Sequence, residues 1–221
     1  GAQAHTDGIG TAAEFDDIRG VTYYGGYVYL LDGTAATLRR FDPVTSEVLT
    51  LAGSPYATGV TDGLGASARF ISPRYIASDN SGMLYVADTN GNTIRSYNTV
   101  TTWVGTFAGT GACGYLDGVG TMAAIHRPRG MTSDGTSIYW VEFNAHTVRQ
   151  GDLATASVTT LVGTPPSCSI TCSCPLPPPG GYVEGTGAAA QLDGPFSVAF
   201  HYPSNSLFFF DGGNAVLRRI R

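Results

Sequence analysis

An all-β fold, a β-propeller of four-stranded blades, is predicted by three observations. A motif returns four times in register along the 221 residues. Each return is followed by short apolar runs separated by turns rich in glycine, aspartate and asparagine. No segment holds a 3.6-residue apolar period long enough for a helix.

The motif opens each repeat: Asp7-Gly8-Ile9-Gly10, Asp62-Gly63-Leu64-Gly65, Asp117-Gly118-Val119-Gly120 and Glu184-Gly185-Thr186-Gly187. Its acids are 55, 55 and 67 residues apart. Eight positions later stands a bulky apolar residue: Phe15, Phe70, Ile125 and Leu192. Twelve positions later come Arg19, Arg74 and Arg129, with Phe196 departing from the pattern. Proline precedes that position as Pro73, Pro128 and Pro195.

The strands follow in order. A first small-apolar strand lies around Val21, Ile76, Met131 and Val198. The second strands, Tyr27–Leu31, Met83–Ala87, Ile138–Val141 and Leu207–Phe210, are near-continuous apolar runs suited to sheets buried on both faces. Third strands run through Thr37–Phe41, Thr93–Tyr97, Thr147–Gln150 and Val216–Ile220. A fourth closes three repeats only, at Val48–Leu51, Trp103–Phe107 and Val158–Val162. Blades are therefore placed at about 7–55, 62–111, 117–165 and 185–221, with a Cys/Pro-rich insertion at 165–181. Blade four lacks its fourth strand, and Gly1–Thr6 is too short and too polar to supply one. The expectation is an excerpt of a larger ring of about six blades.

An acid–arginine element recurs within every repeat. Asp32, Asp88, Glu142 and Asp211 end the second strands, and Arg39, Arg95, Arg149 and Arg218 follow seven residues later. A hairpin would bring each acid near its arginine, giving one charge-assisted clip per blade. Catalysis rarely needs the same pair four times, so the clips are read as structural.

The stretch from Asp62 to Phe70, then Pro73-Arg74-Tyr75-Ile76-Ala77-Ser78-Asp79, Leu84-Tyr85-Val86-Ala87-Asp88-Thr89-Asn90 and Ile94-Arg95, resembles an NHL repeat almost position by position. The resemblance extends over nearly the whole chain. Blade three departs with Ile125 and Glu142, and blade four lacks the arginine after its proline. The resemblance implies a radial propeller, commonly six-bladed, whose loop faces bind protein, peptide or RNA. Some relatives of that type are metal-dependent lyases with channel histidines, and related propeller hydrolases hold calcium in the channel. Fold alone does not choose among these.

Composition narrows the classes. The net charge of -5 and the absence of any basic run argue against nucleic acid as a partner. No apolar run is long enough to span a bilayer, so no membrane insertion is expected. All twelve basic residues are arginine, which reflects either a GC-rich genome or selection for planar pairing with carboxylates. His5, His126, His146 and His201 occupy different places in their repeats, and no metal, cofactor or catalytic residue is assigned.

The four cysteines, Cys113, Cys168, Cys172 and Cys174, have no histidine beside their cluster and read as disulfides formed in an oxidising compartment. Cys113 lies in the loop leading into blade three and Cys168 in the equivalent loop one blade later. One inter-blade bridge and one local bridge are expected. The insertion also carries Pro175, Pro177, Pro178 and Pro179, a stiff extended stretch that is either an interaction loop or a stapled surface loop. These proline runs resemble the hydroxyproline-glycosylated segments of green-algal extracellular proteins. With the absence of lysine, that resemblance implies a wall, matrix or flagellar-hair component.

The function expected is a non-catalytic extracellular scaffold or protein-interaction module in a larger secreted assembly, with protein or glycan partners. The rivals are a metal-dependent propeller enzyme (lyase or calcium-dependent hydrolase) and a carbohydrate- or peptide-binding receptor domain.

Overall fold

The computed structural model describes residues 4–164 and 180–221, and these form four antiparallel sheets arranged as the blades of a propeller. Blade one comprises β1 (Gly8–Ile9), β2 (Ile18–Tyr24), β3 (Tyr27–Asp32), β4 (Thr37–Phe41) and β5 (Glu47–Ala52). Blade two repeats the set as β6 (Gly63–Leu64), β7 (Pro73–Ser78), β8 (Met83–Asp88), β9 (Thr93–Asn98) and β10 (Trp103–Ala108). Blade three has β11 (Gly118–Val119), β12 (Pro128–Ser133), β13 (Ser137–Glu142), β14 (Thr147–Asp152) and β15 (Ser157–Val162). Blade four has three strands, β16 (Pro195–His201), β17 (Ser206–Asp211) and β18 (Val216–Ile220).

In blades one to three the order from centre to rim is first, second, third and fourth long strand, then the two-residue strand of the opening motif. That outermost strand comes from the start of its own repeat: β1 pairs with β5, β6 with β10 and β11 with β15. Each motif then turns into a 3-10 segment, such as Gly65–Ser67. The turn needs a left-handed residue, and the motif's second glycine supplies it, with φ of 58°, 47°, 55° and 56° at Gly10, Gly65, Gly120 and Gly187. No helix among the described residues is long and apolar enough to cross a membrane.

The innermost strands pack side by side, β2 on β7, β7 on β12 and β12 on β16. The approach is close. A Cβ added at Gly130 on β12 would meet the Ser197 Cα at 2.5 Å and the Phe196 carbonyl at 2.7 Å, so only glycine fits there. No packing of this kind joins β16 back to β2 among the described residues.

The core lies between blades. Along each second strand, alternate residues face the preceding and the following blade. Tyr29 and Leu31 therefore meet Leu84 and Val86. Tyr85 and Ala87 meet Ile138 and Trp140, and Tyr139 and Val141 meet Leu207 and Phe209. The apolar residue eight positions into the repeat seals these layers, with Phe70, Ile125 and Leu192 all buried.

Candidate functional site

The most regular polar constellation surrounds the third-strand arginines. Arg39, Arg95 and Arg149 are almost fully buried and Arg218 nearly so. Each fans across the mouth of its own repeat. Arg95 donates to the carbonyls of Arg69 (2.6 Å) and Thr61 (3.1 Å) and to the Asp62 carboxylate (2.7 Å). Its guanidinium lies over the Phe70 ring at 5.3 Å, as that of Arg39 lies over Phe15 at 4.5 Å.

The direct partner in blades one and two is thus the acid of the opening motif. Arg39 meets Asp7 at 2.9 Å and reaches Asp32 only at 3.9 Å. No direct ion pair joins Arg95 to Asp88, a correction to the expected clip. Asp88 is committed elsewhere, accepting from the amides of Ile71 (2.9 Å) and Ser72 (2.6 Å). Burial pushes its carboxyl up, against the pull of those amides and of Arg95. In blades three and four the arginine takes both acids. Arg149 pairs with Glu142 at 3.0 Å and Asp117 at 2.9 Å, and Arg218 pairs with Asp211 at 3.0 Å and Glu184 at 3.5 Å.

The motif acids also hold the outer strand, a role the sequence reading missed. Asp7 accepts from the Thr50 amide (2.8 Å) and hydroxyl (2.7 Å). Asp117 accepts from the Thr160 amide (3.0 Å) and hydroxyl (2.9 Å), and Asp62 from the Thr106 hydroxyl (2.9 Å). Burial opposes ionisation of Asp7, yet the Thr50 amide and hydroxyl and Arg39 hold its carboxyl below the ordinary value. The sequence carried a signal: a threonine 43 or 44 residues after each of the three acids.

The histidines each bond a different partner. His5 Nε2 bonds the Thr37 hydroxyl at 2.9 Å, and His201 Nδ1 the Ser204 hydroxyl at 2.8 Å. His126 Nδ1 faces the Tyr115 hydroxyl, and burial lowers its pKa. His146 Nδ1 accepts from the Gly194 amide at 2.8 Å. Burial lowers its pKa too, opposed by Asp193 and Asp211. No group of three or more His, Cys, Asp or Glu placed to hold a metal is found among the described residues.

Cys113 is disulfide-bonded. Cys168, Cys172, Cys174, Pro175, Pro177, Pro178 and Pro179 lie outside the described residues.

The two ends of the blade series remain open. On blade one Val21 is 62% exposed, whereas of its counterparts Ile76 and Val198 are each 6% exposed and Met131 is partly buried. On blade four Phe210 is 43% and Leu217 69% exposed, although the same positions in blades one to three, Leu31, Ala87 and Val141 and then Leu38, Ile94 and Val148, are at 0%. Beside β18, where the other blades carry a fourth strand, lies a groove of about 480 Å³.

Comparisons with known proteins found a relative in sequence and neighbours in structure. Over 90 residues, 40% of this chain and 8% of the relative, the sequence is 38% identical to the chloroplastic protein Suppressor of Quenching 1 of Arabidopsis thaliana. An auxiliary nutrient binding protein from Bacteroides ovatus superposes with a TM-score of 0.70 at 19% identity, covering 95% of this chain and 49% of that one. Streptogramin B lyase does so with a TM-score of 0.57 at 10% identity, covering 92% and 51%. The likeness to these two solved structures is one of fold. No family model matches. The chain spans about half the length of these solved neighbours and less than a tenth of the curated relative.

Proposed function

We propose that the chain is a stretch of NHL-type propeller acting, without catalysis, as an extracellular scaffold or protein-interaction module in a larger secreted assembly. A wall, matrix or flagellar-hair-like filament would be such an assembly. The exposed end faces carry this reading. Phe210 and Leu217 repeat the residues that every inner blade buries against its neighbour, so the face suits a further blade. Roughly two more repeats would complete a ring of about six. They would come from other domains of the same large protein or from a protein partner. The disulfide-bonded state of Cys113, and the presence of three further cysteines in the sequence, support the extracellular placement.

The repeated polar groups support a structural role. The buried arginines hold carbonyls and motif acids of their own blades, and the histidines bond separate backbone and hydroxyl groups. The name of the Bacteroides ovatus neighbour supports a second reading, a carbohydrate- or peptide-binding receptor, with glycan or peptide as ligand.

Elemental analysis of purified protein separates the scaffold from an enzyme. The scaffold is expected to lose adventitious ions on dialysis and to melt at the same temperature with and without EDTA. A stoichiometric ion that survives dialysis, with a lower melting temperature after chelation, would overturn the non-catalytic reading. Specific binding on glycan or peptide arrays would favour the receptor.

A further inference from the structure

The first strand of every blade breaks its pairing at the same place. Arg19-Gly20, Arg74-Tyr75, Arg129-Gly130 and Phe196-Ser197 stand two against one opposite Leu31, Ala87, Val141 and Phe210 respectively. Such a bulge re-aims the side chains it carries. The bulges also abut from blade to blade, since the strands that hold them are the packed innermost ones. A Cβ at Gly20 would meet the Arg74 carbonyl at 2.8 Å and the Tyr75 Cα at 3.1 Å, as one at Gly130 would meet Ser197. Residues a full repeat apart in sequence are thereby set side by side, which is why no basic run announces them.

Aromatic rings hold the middle of this row. The Arg129 guanidinium lies over the Phe143 ring at 4.5 Å and the Phe196 ring at 5.4 Å. Tyr75 of blade two meets Phe196 of blade four edge to face, with 6.5 Å between ring centroids. Rings that cover the face of a guanidinium leave its in-plane N–H donors free for an acceptor. Burial lowers the Arg129 pKa, Tyr75 opposes the fall, and the charges of Arg74 and Arg127 add to it. Three cations therefore repel one another here.

No carboxylate among the described residues pairs with Arg74, Arg127 or Arg129. Residues 1–3 and 165–179, outside that description, contain no Asp or Glu. Arg19 differs, for it has Asp17 at 2.6 Å. Arg127 adds a sign in the backbone. It stands before Pro128 with φ of 48°, the left-handed conformation that blade four gives to Gly194, at 56°, before Pro195. A bulky residue is strained there. The Arg127 side chain is exposed and makes no hydrogen bond or ion pair among the described residues that would account for the strain.

The row offers guanidinium donors beside apolar rings. A carboxylate, which only accepts, matches the donors, and an apolar side chain next to it matches the rings. Sugar hydroxyls must also donate, and the carboxylate beside the row, Asp17, already accepts from Arg19 and from the Thr34 hydroxyl at 3.3 Å. Nucleic acid is disfavoured by the net charge of -5, because three cations release too few counterions to offset it. Resting on the protein-interaction reading above, we propose that Arg74, Arg127 and Arg129 form, with Phe143 and Phe196, a docking site for an acidic segment of a partner polypeptide. Carboxylates of the segment take the free edges of the guanidiniums. An apolar side chain between them packs on Phe196, which is 44% exposed.

A fluorescent, N-acetylated peptide Glu-Glu-Phe-Glu-Glu tests this, titrated with the 221-residue chain at low salt and followed by anisotropy. Saturable binding is expected, weakening as salt is added. The matched peptide Gln-Gln-Phe-Gln-Gln should not bind. Arg74→Gln, Arg127→Gln and Arg129→Gln, each checked for an unchanged melting temperature, should each weaken binding by about tenfold, the scale of one hydrogen bond to a charged group. The second of these is at an exposed position, where the fold is least disturbed. Arg129→Lys should keep only part of the affinity, because an ammonium lacks the planar fork that stacks on the rings. Arg219→Gln removes an equal charge from an exposed position on β18 and should leave binding unchanged.

No binding at millimolar peptide, or an equal loss in Arg219→Gln and Arg129→Gln, would overturn the proposal. Tighter binding of oligouridylate or of oligogalacturonate at matched charge would assign the row to nucleic acid or to an acidic glycan, and overturn it as well. Self-association abolished by Arg129→Gln would assign it to a second copy of the chain, with the same result. A peptide that fails while the chain still associates through its end faces would remove this site and leave the scaffold reading standing.

Discussion

Arg95 has no exposed surface, yet its carboxylate partner Asp62 is 42% exposed, so the arginine rather than the acid is the buried charge. Removing it strands the carbonyls of Arg69 and Thr61 and opens a void under Phe70. Arg95→Ala is expected to cost roughly 2–4 kcal/mol in a denaturant titration. Arg95→Lys should not restore the loss, because a single ammonium cannot replace the planar fork over two carbonyls and a carboxylate. A loss below about 0.5 kcal/mol would show the cluster to be dispensable. The acid–arginine spacing was legible in the sequence, and the expected pair forms directly in blades three and four but not between Asp88 and Arg95. In the hairpin Asp88 pairs with Thr93 and Val86 with Arg95, so acid and base are diagonal neighbours rather than opposites. Asp88 is held by loop amides, and Arg95 reaches outward to the motif acid. In blade three Glu142 meets its arginine directly, as Asp211 does in blade four, and its oxygen also accepts from the Trp140 indole at 3.2 Å.

His126 gives the same scale a pH signature. Burial, then the nearby Arg127 charge, lowers its pKa from the ordinary 6.5. The unfolded chain therefore takes up a proton near pH 6.5 while the folded chain keeps the imidazole neutral. This contribution is whole above about pH 6.5 and is lost as pH falls through that value towards the folded pKa. Between pH 7 and pH 5 the melting temperature of the native chain is expected to fall more than that of His126→Gln. Parallel curves for the two proteins would contradict it.

At the scale of elements, the second, third and fourth strands were legible to within one or two residues, the second most plainly because it carries apolar residues on both faces. The first strands were legible only by their central residue. The second strand of blade three is buried throughout. Trp140 on that strand is fully buried between blades two and three. Trp140→Ala should cost about 3–5 kcal/mol, from lost burial and the cavity left behind. Its effect on calorimetric melting should exceed that of any exposed aromatic, Tyr23→Ala included. The two-residue strands β1, β6 and β11 were not legible as strands, since two residues have no period. Their glycine spacing reported a turn, and the pairing with the outer strand arises only once the blade has closed. The threonines that anchor those strands were visible as a recurring residue, but their partners lie more than forty positions away in sequence.

At the scale of the whole molecule, the repeat made the fold readable from end to end, because every blade applies the same alternation to bury the same positions. The faces around Val21 and Phe210–Leu217 are unlike each other, so copies stacking through them would join head to tail. The central claim, that these faces are built to bury against further polypeptide, is tested most directly by sedimentation velocity on residues 1–221 across a concentration series. The native chain is expected to associate as concentration rises, and the pair of changes Val21→Glu and Leu217→Glu to return it to a monomer with an unchanged melting temperature. A native chain that stays monomeric throughout, with sedimentation indistinguishable from the charged variant, would contradict the account.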